Sequence, residues 1–142
     1  MTIKFNDLMP ELYVSNYRRS LSFYIDVLGF KLEYDRTDPA FSFLSYGNAQ
    51  LMIQQKEPTD WHTGALEYPY GRGINFEIRT TDIDVLLERL SENNYPVRRG
   101  IKESWRKAGG MLVGSKEIHV LDPDGYFLRF SQAIGRKPLS GA

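Results

Sequence analysis

Two stretches of this chain carry one pattern at a fixed spacing. In YRRSLSFYIDVLGF, Tyr17, Leu21, Tyr24 and Leu28 mark one helical face; in IDVLLERL, Ile83, Leu86, Leu87 and Leu90 mark another. Ile83, Leu87 and Leu90 follow Tyr17, Leu21 and Tyr24 by 66 positions each. Apolar faces match at some offset easily, but here the surroundings repeat as well. Before the first helix ELYVSN reads as a strand, and after it FKLEYD, FSFLSY and QLMIQ read as three more, the last two joined across Gly47-Asn48. Around the second helix the strands are INFEIR, YPVRR, EIHVL and YFLRFSQ. Ser15 or Asn16 can cap the first helix, Gly29 can end it in the left-handed conformation, and Asp82 can cap the second.

Such a chain is an α+β protein of two tandem βαβββ modules, about residues 8–56 and 73–133 of one domain spanning 1–142. The stretch 57–72 reads as a linker loop and 135–142 as a loose tail. Each module presents a sheet covered by a helix on one face and open on the other. Two side by side are expected to form a curved mixed sheet lining a groove, completed in a homodimer.

Composition removes several function classes. Lys plus Arg and Asp plus Glu number 18 each, so no net field favours nucleic acid or an anionic membrane. The absence of cysteine excludes disulfides, thiolate zinc sites and a cysteine nucleophile. No apolar run approaches the length of a membrane span, and the reading is a soluble, cytoplasmic protein. P-loop, dinucleotide and nucleophile-elbow motifs are lacking.

The segments YVSNYRRSLSFYIDVLGFKLEY, GINFEIRTTDIDVLLERL and LDPDGYFLRFSQ resemble the vicinal-oxygen-chelate superfamily, which includes glyoxalase I, extradiol dioxygenases and bleomycin-resistance proteins. The resemblance covers about residues 9–134, and its motifs belong to the scaffold. It implies a divalent ion held at the start of the first strand of each half and by a carboxylate just beyond the DPDG turn. Carried onto this chain, those positions are Met9, Asn75 (or Gly73) and Arg129. A soft thioether, a neutral amide and a fixed cation make a poor site for a hard divalent ion. The expectation is therefore no metal and no cofactor.

Strand alternation says where the side chains point. If Arg129 faces the groove, Phe127 and Ser131 do too, while Leu128 and Phe130 pack inward. The same reasoning sends Met9, Glu11 and Tyr13, then Asn75, Glu77 and Arg79, then Glu117 and His119, outward. Glu11, Glu77 and Arg129 can form an ion pair bridging the halves, contact a ligand, or do both; a relocated metal site of the two glutamates with His119 is the remaining alternative. His119 reads more readily as a strand histidine satisfied by a neighbour than as a general base, and His62 as a solvent-exposed loop residue. Trp61 and Trp105, on long loops, can stack on a ligand with Phe43 and Tyr13, or pack an interface.

The resemblance without metal ligands is closest in style to the bleomycin-resistance group. It implies a non-catalytic protein conferring antibiotic resistance by sequestering a bulky, drug-like ligand in a dimeric groove, with a bleomycin-type drug the leading candidate. The ligand set is Met9, Glu11, Tyr13, Phe43, Trp61, Asn75, Glu77, Trp105, His119 and Arg129. The alternative is a lyase, isomerase or dioxygenase with non-standard active-site residues.

Overall fold

The computed structural model describes residues 2–59 and 61–139. Among these residues eight strands and two α-helices follow in the order β1 (Glu11–Val14), α1 (Tyr17–Ser22), β2 (Lys31–Arg36), β3 (Phe41–Tyr46), β4 (Ala49–Gln55), β5 (Asn75–Arg79), α2 (Ile83–Glu92), β6 (Arg99–Ala108), β7 (Met111–Leu121) and β8 (Phe127–Pro138). They form two four-stranded mixed sheets, ordered β1-β4-β3-β2 and β5-β8-β7-β6. In each, the first strand of the module runs parallel to the last and the other pairs are antiparallel. The βαβββ repeat read from the 66-residue offset is thus the architecture. The chain divides into two compact units: one runs to Gly73 and includes Asp122–Tyr126, and the other takes Ile74–Leu121 and the residues from Phe127 onward.

In the first unit, α1 starts at Asn16, whose side-chain oxygen accepts from the Arg19 amide at 3.1 Å. The helix continues as a π-helical segment over Phe23–Leu28 and stops at Gly29, whose φ of 91° is left-handed. The wider turn brings Phe23 inside together with Tyr24 and Leu28, a shift that an α-helical face could not foretell. Beneath lie Leu12, Val14, Leu44 and Ile53.

The DPDG turn is built into this unit. One Asp122 carboxylate oxygen accepts the amides of Asp124 and Tyr126, each at 2.9 Å, and the other accepts the Tyr24 hydroxyl at 2.8 Å. Asp124 accepts the Ser15 amide at 2.9 Å and the Ser15 hydroxyl, while the Tyr126 hydroxyl donates to the Tyr13 carbonyl. Gly125, at φ 93°, sits where a Cβ would come within 2.5 Å of Pro69. The motif is a scaffold element, as the sequence suggested.

In the second unit α2 is capped by Asp82, whose side chain accepts from the Asp84 and Val85 amides. Its Ile83, Leu86 and Leu90 are buried, and the helix packs on β7 and β8, where Ile118, Val120, Leu128 and Phe130 face it. The opposite face of this sheet carries the polar side chains.

The hairpin strands run longer than expected. YPVRR, expected as a strand, is not one before Arg99, where β6 begins, and KESWRKAGG, read as loop, is mostly β6, turning at Gly109-Gly110 into β7. Trp105 therefore stands on a strand. Strand β8 continues through Gly135 to Pro138, the first half of the stretch read as a loose tail, by pairing with Met111–Gly114. Of that stretch, residues 140–142 lie outside the described residues, as does residue 60 of the loop 57–72. These segments escaped recognition because both faces of the extension are largely exposed, so no apolar alternation marks them.

Candidate functional site

Register assembles the site on the open face of the second sheet. Across β5, β8, β7 and β6 the first row reads Glu77, Arg129, His119, Arg99, because Glu77 pairs with Arg129, Arg129 with His119 and His119 with Arg99. The adjacent row reads Arg79, Ser131, Glu117, Lys102. Opposed residues in a sheet share a face, so these side chains stand together.

Arg129 is at the centre. Its guanidinium donates to both Glu117 carboxylate oxygens, at 2.8 and 3.3 Å, and to the Asn75 side-chain oxygen at 3.1 Å. A Glu77 oxygen lies 3.6 Å away, and the other Glu77 oxygen accepts the Ser131 hydroxyl at 2.8 Å. Glu117 is the most enclosed of the charged members, its side chain only 5% exposed. Burial pushes its carboxyl up, but hydrogen bonds and charge from Arg129 and His119 outweigh burial and hold it below its usual value. Reciprocally, the hydrogen bond to Glu117 raises the Arg129 guanidinium, against burial. Arg129 is a permanent cation in a polar cluster, outside the apolar core.

His119 Nε2 lies 2.8 Å from Glu117 and 3.0 Å from the Arg99 guanidinium. One ring nitrogen cannot both donate to the carboxylate and accept from the arginine, so the tautomer decides which contact is a hydrogen bond. Either way His119 is a strand histidine met by its neighbours, and its ring also meets Phe127 edge-on at 4.9 Å.

Four of the ten sequence-nominated residues, Asn75, Glu77, His119 and Arg129, are brought together here. Trp105 shares their sheet but not their face. It pairs with Gly114, one residue from Ser115 and so on the opposite side from Glu117, and its indole occupies the place where a Gly114 Cβ would stand, 2.7 Å from ring atoms. Lys137 lies 4.0 Å over that ring.

Met9, Glu11, Tyr13, Phe43 and Trp61 belong to the first unit. There Glu11, Met52, Phe43 and Tyr34 form one cross-strand row. Phe43 was expected as a stacking wall, but it is fully buried, stacked against Tyr34 at 5.3 Å and covered edge-on by Phe5 at 5.3 Å, so it is a core residue. Burial first, then Glu11 and Glu57, raises the Tyr13 hydroxyl. His62, expected in solvent, is half-buried with its ring 4.5 Å from that of Tyr13. Met9 is half-buried ahead of β1, and Trp61 is 72% exposed.

Glu117 is the residue that sequence reasoning undervalued. Alternation placed it outward, yet Arg129 was matched with Glu11 and Glu77. Counting outward from the DPDG turn sets His119 opposite Arg129 and Glu117 opposite Ser131, which would have brought Glu117 beside the guanidinium.

The donor set does not suit the divalent ion that the resemblance implies. The Asn75 oxygen and both Glu117 oxygens are directed at Arg129, and a guanidinium repels a cation placed among them. Among the described residues no group of three or more His, Cys, Asp or Glu is arranged to hold a metal. Nor, among them, is any helix long and apolar enough to cross a membrane.

Comparison with known proteins identifies the family. The family profile described as Glyoxalase/Bleomycin resistance protein/Dioxygenase superfamily matches residues 4–130. A superfamily member from Vibrio splendidus 12B01 is 31% identical over 87% of this chain and 95% of its own, with a TM-score of 0.41. A virulence protein from Salmonella typhimurium (21% identity, 94% and 100% coverage, TM-score 0.65) shares the fold. So does a glyoxalase/bleomycin resistance protein/dioxygenase from Alicyclobacillus acidocaldarius (16%, 92% and 92%, 0.64). No curated protein sequence is a significant match.

Proposed function

Since the chain belongs to the glyoxalase/bleomycin resistance protein/dioxygenase superfamily, we propose that it is a metal-free small-molecule binding protein. The observation that carries this reading is the Arg129–Glu117 pair. Two carboxylate oxygens of the kind that would grip an ion are instead engaged by a guanidinium at 2.8 and 3.3 Å. Polar groups whose geometry is fixed before a ligand arrives suit recognition, because less order is lost on binding.

In this reading the chain sequesters a bulky, drug-like molecule in a groove completed by a second copy, and no bond is broken. Within the second unit, exposed apolar side chains add surface beyond the polar cluster: Ile74 is 54% exposed and Ile101 41%. Antibiotic resistance by capture is the role proposed, with a bleomycin-type drug as the first compound to titrate. Intrinsic tryptophan fluorescence should saturate at one ligand per site, and sedimentation should give a dimer. A flat titration removes that drug class, and a monomer at every concentration removes the shared groove.

One observation favours a second reading, an isomerase or lyase: the His119 ring is in contact with Glu117 at 2.8 Å, an imidazole oriented by a carboxylate. Turnover of a carbonyl substrate that His119→Gln abolishes would select it over capture.

A further inference from the structure

The charge on the open face of the second sheet is unbalanced, and the imbalance has a location. Beyond the Arg79–Ser131–Glu117 row come two small residues, Ser115 opposite Ala133, and then Arg106, Val113 and Arg136 side by side across β6, β7 and β8. Small side chains between rows of long ones leave a concavity of about 510 Å³. Four arginines line it (Arg79, Arg106, Arg129 and Arg136) against two carboxylates, Glu77 and Glu117. Both carboxylates are already in use by Arg129 and Ser131. Arg79, Arg106 and Arg136 have no hydrogen-bond or ion-pair partner among the described residues.

Three uncompensated guanidiniums on one face repel one another, so the fold gains nothing from gathering them. The chain as a whole has zero net charge, so the excess is no reflection of a basic protein. Guanidinium is also the side-chain group whose planar fork matches a carboxylate, sulfonate or phosphate oxygen pair.

We propose that this concavity binds the anionic group of the small-molecule ligand (a carboxylate, sulfonate, phosphonate or phosphate ester), clasped between Arg106 and Arg136 with Arg79 across the floor. Val113 and Ala133 offer the apolar bed for the part of the ligand next to its charge. The inference rests on the small-molecule binding reading and narrows it, since this face repels a cationic drug.

Two probes with the same ring system and different charge separate the possibilities: 8-anilinonaphthalene-1-sulfonate and uncharged N-phenyl-1-naphthylamine. Both brighten on leaving water. The sulfonate should bind roughly tenfold tighter at low ionic strength, lose that margin as salt rises, and shift the backbone amides of Ser115 and Ala133. The double variant Arg106→Ser/Arg136→Ser, both on an exposed face, should bring the two probes to within about twofold of each other. Arg18→Ser, an exposed arginine of the first unit, should leave the margin intact. Equal affinity of the two probes for the unaltered protein overturns the anion site and leaves the capture reading standing. A sulfonate preference that survives the double variant overturns it too, and so does no sulfonate binding. None of these outcomes decides the capture reading, which the drug titration and sedimentation above test separately.

Discussion

Replacing Arg129 by methionine keeps an unbranched apolar stem and removes the charged head. Glu117, 5% exposed at its side chain, then loses hydrogen bonds of 2.8 and 3.3 Å and keeps only His119 at 2.8 Å and Arg99 at 3.5 Å. Stripping one partner from a buried pair costs about 3–5 kcal/mol. The two remaining partners soften this, so a loss of about 2–3 kcal/mol near neutral pH is expected. That corresponds to a fall in Tm of roughly 10 °C for a chain of this size.

The pH dependence gives the sign. In the unaltered protein Glu117 sits below its ordinary value, so its stabilisation is present above that value and is lost as pH falls through the folded-state one. In Arg129→Met, burial is opposed less and the carboxyl moves up, so the variant's deficit should shrink as pH falls and the carboxyl takes up its proton. Urea denaturation followed by circular dichroism near pH 7 and pH 4 measures both. Adding Glu117→Gln to Arg129→Met should recover about half the loss, since no buried charge is then left unpaired. A single-variant loss under about 0.5 kcal/mol, or one independent of pH, would refute the view of this pair as an enclosed, mutually dependent unit.

Two further results follow from the DPDG turn. Burial pushes the Asp122 carboxyl from 3.8 up to about 6, against hydrogen bonds from Tyr24, Tyr126 and Asp124. The fold thus holds that proton more tightly than the unfolded chain, and stability should decline by about 3 kcal/mol as pH rises through this window. Asp122→Asn should flatten that limb of a Tm-against-pH curve, and an unchanged limb would assign it to other groups. Gly125→Ala meets both a left-handed φ of 93° and Pro69 within 2.5 Å, and should cost upwards of about 2 kcal/mol. Gly47→Ala, at φ 58° with open space around it, should cost about 1 kcal/mol; equal losses in thermal melts would contradict the packing described.

The fold was legible because helix faces and buried strands imprint a period, and two copies at one offset left little topological choice. Legibility failed where the period did. The charged stretch 102–108 pairs through its backbone, with both sides wet, so β6 and the continuation of β8 left no apolar trace. The π-helical segment moved Phe23 inward by backbone geometry that side-chain spacing does not encode. Phe43 was placed on the right face, but Phe5, from a segment with no pattern of its own, covers it. At the site, alternation found Glu77, His119 and Arg129. Pair register was needed to join Arg129 to Glu117, and Trp105 fell on the far face because its partner, Gly114, lies one residue out of phase with Ser115.

The most direct measurement is a Mn²⁺ titration of the unaltered protein, prepared without chelator and followed by the paramagnetic signal of the free ion. The guanidinium at position 129 predicts that the free-ion signal stays undiminished when protein and metal are equimolar. Stoichiometric loss of that signal, accompanied by broadening of the Asn75 and Glu117 resonances, would place an ion among those oxygens and contradict the account.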